Sequence, residues 1–303
     1  MVEKAQTLRT QVPVTAKRSR QGLWASKRFQ ETLVAAVATI IATLGLAIVL
    51  FPIGWMLSTS LKGQIEALKM PPNWIPAHFQ WVNYYDALTL NPFGLYFQNT
   101  FIYATLVMLG ETLSCAFISY GFARLRAPGR DYLFLLVLAT LMIPNEVTLI
   151  PQYVLFSKLG WTNSYKPLIV PAFFGSAYLI FLMRQFYMSL PVEYDEAAVI
   201  EGASHLQIWW RIILPLSKPA IGAVAIMSFI FHWNTFQGPL IYLSDNKLFT
   251  VSLGLSMFRA PFGGTPWHWY MAASLATLLP CVVVFFVAQR YFIQGIVVSG
   301  VKG

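Results

Sequence analysis

Apolar residues along this chain fall into six long runs separated by shorter polar stretches. A helix rising 1.5 Å per residue needs about 20 predominantly apolar residues to cross a hydrocarbon layer of about 30 Å. The runs at about 32–57, 93–120, 132–150, 167–187, 220–243 and 269–292 meet that length, the fifth becoming less apolar around Asn234. They predict an all-α, polytopic membrane protein with six transmembrane helices. Its parts are an N-terminal tail (1–31), a transmembrane domain (32–293) and a C-terminal tail (294–303). The stretch from Ser60 to Asn91 is rich in Pro and Trp, and predicts an ordered segment lying at the membrane interface through its aromatics. The connection from Asp245 to His268 carries a Gly/Pro turn at Pro261–Pro266, and no internal repeat stands out.

Composition agrees with this pattern. The 303 residues are 57% hydrophobic and 11% charged, with a mean hydropathy of +0.58; a soluble domain carries about 25% charged residues. The net charge of +9 does not mark a nucleic-acid-binding module, because the basic residues flank the apolar runs. With the N-terminus placed in the cytoplasm, 15 of the 21 Lys and Arg fall in the segments that would lie inside (1–31, 121–131, 184–218 and 290–303). Cytoplasmic segments are enriched in just these residues, so both termini are expected inside, which requires an even number of spans. The first thirty residues hold no apolar core, and the run that follows is too long for a signal peptide. It reads as an uncleaved first span.

The longest inside connection, 188–217, joins the fourth and fifth runs. Pro191 suits the first turn of a helix, and Glu193, Asp195 and Glu196 favour the positive end of its dipole. Ala197 and Ala198 continue it, Gly202 marks a bend or bare spot, and a second short helix is expected over Leu206–Ile213, stopped by Pro215. Composition alone leaves two readings open, a solvated linker and a docking element.

The spacing goes further. Glu196-Ala197-Ala198, three residues, Gly202, nine residues, Ile212, one residue, Leu214-Pro215 resembles the cytoplasmic signature of the inner-membrane permeases of binding-protein-dependent ABC importers. Tyr120-Gly-Phe-Ala-Arg-Leu-Arg-Ala-Pro-Gly-Arg130, Met142-Ile-Pro through Leu149-Ile-Pro151, Trp233-Asn234 and the ending from Gln289 are similar to the carbohydrate-uptake branch, and specifically to the smaller permease of maltose-type and glycerol-3-phosphate-type systems. The N-terminal thirty residues match nothing in that pattern. The resemblance implies a bacterial inner-membrane subunit that forms a pathway for a sugar or sugar-like solute with a second, homologous permease. It also implies two ATPase subunits and an extracytoplasmic solute-binding protein. The loop would dock on the ATPase through Glu193, Glu196, Ala197, Ala198 and Gly202. Arg211 is a weaker candidate for a salt bridge there, and Ile212, Leu214 and Pro215 would fix the loop to the spans. ATP and Mg belong to the partner ATPases. This chain has no Gly-Lys pair and so no phosphate-cradling loop of its own.

Other polar residues carry several readings. Glu111, inside the second run, costs roughly 2.5–3.5 kcal/mol at mid-bilayer and must face protein or water. It is a candidate for the translocation pathway, with Asn145, Glu146, Trp233 and Asn234; the alternatives are a protonated or hydrogen-bonded structural glutamate for Glu111, an interfacial solvated carboxylate for Glu146, and helix packing for Trp233 and Asn234. His205 and His232 have no paired ligand spacing, and Cys115 and Cys281 read as small apolar residues, so no metal site is expected. No catalytic constellation stands out. An ion-coupled secondary transporter would explain six spans and Glu111 but not the loop; an integral-membrane enzyme would need Glu111 or Glu146 to act alone.

Overall fold

A computed structural model describes residues 27–259 and 264–300, with side chains described over 30–259 and 264–289. The N-terminal tail to residue 26, the first half of the turn at Pro261–Pro266 and the last three residues lie outside the described residues. The described chain is helical, with no strand among the described residues. It divides into two compact units, residues 1–54 and 55–303. The described part of the first unit is the N-terminal length of α1 (Lys27–Ser60), whose apolar side chains, Val34, Ile41, Ile48 and Val49 among them, are exposed on every face. A helix apolar all round is a membrane span.

In the second unit the segment after α1 is ordered, as its composition predicts. The Asn83 amide, on α2 (Val82–Thr89), donates to the carbonyls of Ser60 (2.9 Å) and Lys62 (2.8 Å). Lys62 is buried, lies 4.7 Å from the Trp55 ring and donates to the Asn73 carbonyl.

The centre of this unit is α3 (Phe93–Arg124), which packs against both α6 (Ala177–Ser189) and α9 (Lys218–Asn234); α10 (Trp267–Gly300) packs on α9 and α2. One apolar cluster surrounds the first half of α3, with Phe93, Tyr96, Ala104, Phe229, Trp233 and Ala273. A second surrounds its last turns, with Cys115, Tyr120, Met183, Tyr187, Ile208 and Val224. Glu111 lies between the two.

Among the described residues, four helices are long and apolar enough to cross a membrane, or up to six if each of two bent pairs counts as one span. The bends depart from the uniform spans that the apolar runs predict. The third run turns by 96° between α4 (Arg130–Ala139, extended to Met142 by a 3₁₀ turn) and α5 (Asn145–Lys158). Pro144 disfavours the helical region for the residue before it, and Ile143 is extended (φ −85°, ψ 114°). The fourth run begins as a single turn at Lys166–Ile169, tightens to a 3₁₀ helix over Val170–Phe174, and breaks at Gly175 (φ +80°) before α6. The fifth ends its long helix at Asn234 and resumes over Gln237–Tyr242.

Candidate functional site

The connection between α6 and α9 is built from short-range rules. After α6, Leu190 is extended, and α7 (Glu193–Ile200) starts from Val192 with Glu193, Asp195 and Glu196 in its first turn. Pro191 therefore precedes the helix instead of opening it. At the other end the Gly202 N–H donates to the Val199 carbonyl (3.0 Å) and the Ala203 N–H to the Ala198 carbonyl (2.9 Å). With Gly202 left-handed at φ +83°, this is a Schellman cap, which closes the helix on its own carbonyls. A Cβ on Gly202 would meet nothing within 4 Å, so the backbone conformation, not space, calls for glycine.

Ser204 then caps α8 (His205–Ile208) in a reciprocal box with Gln207: the Gln207 side chain accepts from the Ser204 N–H (2.8 Å) and Ser204 Oγ from the Gln207 N–H (3.4 Å). A π turn (Trp209–Ile213) follows, and helix continues through Pro215 to Leu216, past the stop expected at Pro215. Pro215 lacks the N–H that an α-helical turn would use, and the turn before it is the wider π form. The path ends at Ser217, whose N–H (3.0 Å) and Oγ (2.7 Å) both bond the Ile213 carbonyl, and turns by 79° into α9.

This helix–turn–helix has two faces. Glu193, Glu196, Ala197, Val199, Gly202, Leu206, Trp210, Arg211 and Pro215 are exposed, and Ile200 is 86% exposed. Ala198, Ile208, Trp209 and Ile213 are buried in the cluster around the end of α3, with Ile212 and Leu214 packed at its margin. The two alanines expected to admit close approach thus divide: Ala197 faces out and Ala198 faces the chain's own spans.

Sequence reasoning missed Arg124, the last residue of α3. Its Nη1 lies 3.1 Å from Asp195 Oδ2, and its Nη2 donates to the Leu190 carbonyl (2.8 Å). The Arg–Asp contact has the distance of an ion pair without the alignment of a hydrogen bond, and neither Asp195 oxygen has a hydrogen-bond partner among the described residues. Burial pushes the Asp195 carboxyl above the usual aspartate range, against the opposing pull of Arg124 and then His205. Nearby, Arg184 of α6 donates to the Phe122 carbonyl (3.2 Å) and lies over the Phe134 ring (4.1 Å).

The candidate pathway residues do not form one group. Glu111 accepts from Ser228 Oγ (2.5 Å) and lies 3.4 Å from His232 Nε2, while His232 Nδ1 is 3.2 Å from the Tyr103 hydroxyl. This buried cluster joins α3 to α9, and His232 is the member that spacing alone does not reveal. Asn145 and Glu146 are exposed at the start of α5. Trp233 is buried with its Nε1–H on the Thr277 carbonyl (3.1 Å), and the Asn234 amide bonds back to the Ile230 carbonyl (2.8 Å).

Comparison with known proteins locates this architecture. Residues 113–298 match the family described as binding-protein-dependent transport system inner membrane component. The sn-glycerol-3-phosphate transport system permease protein UgpE of Pectobacterium atrosepticum is 35% identical over 269 residues, 86% of this chain and 95% of the relative. The arabinooligosaccharides transport system permease protein AraQ of Bacillus subtilis is 35% identical over 259 residues, 84% and 91% of the two chains. A chain of a bacterial ABC transporter involved in the import of the acidic polysaccharide alginate shares the fold, with a TM-score of 0.75 at 20% identity over 87% of this chain and 98% of that one. With the family match running from the last turns of α3 through the whole capped loop, the chain belongs to the inner-membrane permeases of binding-protein-dependent ABC importers, a transport subunit and not an enzyme.

Proposed function

We propose that this chain is one of two permeases lining the pathway of an importer for a sugar or sugar-like solute, and that its loop at 188–217 docks on a separate ATPase. One observation carries the docking: the loop is fixed at both helix ends and anchored inward through Ala198, Ile208, Trp209 and Ile213, yet it leaves Glu193, Glu196, Ala197, Ile200 and Gly202 exposed. A solvated linker needs neither caps nor an apolar exposed face. Glu196 supplies a charged contact and Ala197 close approach, while Arg211, exposed on the following π turn, is available to an acidic partner. The second permease, the paired ATPases with their ATP and Mg, and the external solute-binding protein complete the machine. The tails at 1–31 and 294–303 lie in the cytoplasm with the loop, and the span domain covers 32–293.

Similar relatives bear the names of glycerol-3-phosphate and arabino-oligosaccharide systems. The six apolar runs contain few basic side chains with which to hold a phosphate ester, which supports a neutral carbohydrate. Co-purification of the tagged chain from its native membrane tests the docking, with the native loop and with Gly202→Asp. The ATPase and a second permease are expected with the native loop, and the second permease alone with the variant. A native chain that brings down no ATPase in mild detergent overturns the assignment.

A further inference from the structure

We infer that Arg124 is a positioning residue that ties the docking loop to the central helix α3, so that displacement of α7 is delivered to α3 through the Arg124–Asp195 contact. This rests on the docking reading. One guanidinium grips two points of the connection, the Leu190 carbonyl just after α6 (2.8 Å) and the Asp195 carboxylate in the first turn of α7 (3.1 Å). Both side chains are largely withdrawn from solvent, Arg124 at 9% and Asp195 at 16% exposure. Surface ion pairs are worth little, but removing one partner of a withdrawn pair leaves the other charge uncompensated.

The loop's remaining anchors are apolar: Ala198, Ile208, Trp209 and Ile213. Apolar contacts are non-directional and let a helix slide, whereas a guanidinium held at two points resists both translation and rotation. The receiving element is the one against which α6 and α9 both pack, and it carries Glu111 further along. The Arg124–Asp195 contact is close but not aligned, and both Asp195 oxygens lack hydrogen-bond partners among the described residues. That leaves the contact free to tighten as the docked helix moves. Sequence position agrees with a mechanical role, since Arg124 ends the helix and Asp195 adjoins the exposed Glu196.

The test uses the whole importer, reconstituted in lipid with its cysteines replaced. A spin label at Leu113→Cys, an exposed position on α3, reports the helix, and Mg-ATP with vanadate is the probe. In the native background the label's environment is expected to change on trapping. In Arg124→Gln and in Asp195→Asn the ATPase should still co-purify while the α3 response is lost. Arg124→Lys keeps the charge but not the two-point grip, and should give a partial response. The exchange Arg124→Asp with Asp195→Arg should recover part of the signal. A full response in Arg124→Gln overturns the tie. Should Arg124→Gln fail to assemble, the exchange pair decides: recovery supports the tie, and a response no better than in Asp195→Asn overturns it. A native complex that does not retain its ATPase would instead overturn the docking reading, an outcome visible before any label is read.

Discussion

At the scale of single residues, glycines are required for two different reasons in this chain. Gly202 is required by backbone conformation: at φ +83° an L-residue pays about 1–2 kcal/mol, Asn less, although space around the position is open. Gly202→Ala should therefore loosen the cap, seen as faster amide hydrogen exchange at Ala203, whose N–H bonds the Ala198 carbonyl, and Gly202→Asn should change it less. Equal exchange in all three proteins would contradict the strained-cap account. Gly110 and Gly254 are required by space: a Cβ there would lie 2.6 Å from the Phe173 ring and 2.5 Å from the Tyr96 ring. Overpacking typically costs 1–3 kcal/mol, so Gly254→Ala should lower the thermal midpoint of the solubilised protein. Gly94→Ala, on the same helix as Tyr96 but facing open space, should not. Gly202 could be picked out from the sequence because its partners are a few residues away. Gly110 and Gly254 could not, because the rings they accommodate lie 63 and 158 positions from them in the chain.

At the scale of elements, the apolar runs gave helix existence and approximate length, and hid the breaks. An apolar count is blind to direction, so the 96° turn before Asn145 and the 79° turn at Ser217 stayed inside runs that looked uniform or adjoined them. Pro144, Gly175 and Pro219 were the available signals. The loop was legible to the level of two helices and a bend; its π turn was not, since Pro215 read as a stop until the wider turn accommodated it. Glu111 was visible as an expensive residue, but its partners Ser228 and His232 come from α9, over a hundred positions away, and only folding brings them to 2.5 and 3.4 Å. Their joint role predicts a cycle. Glu111→Leu leaves the Ser228 hydroxyl without its partner and His232 with Tyr103 alone where α3 meets α9, costing about 1–3 kcal/mol. Glu111→Gln should cost less, and adding Ser228→Ala to Glu111→Leu should recover part of the loss. Thermal unfolding in detergent measures these proteins together with Ser228→Ala alone; strictly additive losses would show that the hydroxyl and carboxylate do not act together.

At the scale of the whole molecule, the proposed function depends on which face of the membrane each connection occupies. The proposed orientation, which the distribution of basic residues favours, puts 1–31 and 184–218 on the cytoplasmic side and the connection after the first run, with Lys62 and Lys69, on the other. If the loop docks as proposed, its exposed face with the acidic first turn belongs on the side where ATP is available. Two positions decide the matter: Lys69, exposed in the segment after α1, and Glu196, exposed on α7. In a background with Cys115 and Cys281 replaced, a membrane-impermeant thiol reagent should label Lys69→Cys in cells whose outer barrier alone has been opened. Glu196→Cys should react only once the inner membrane is breached. The reverse pattern would invert the molecule and leave the loop without an ATPase to meet. Labelling of both positions from the same side would break the parity of the spans between them, which forces one of the bent helix pairs to be a re-entrant hairpin instead of a crossing. Since the 96° turn at Pro144 lies between these two positions and the 79° turn at Ser217 does not, that outcome would single out α4 and α5 as the pair that enters and leaves on one face.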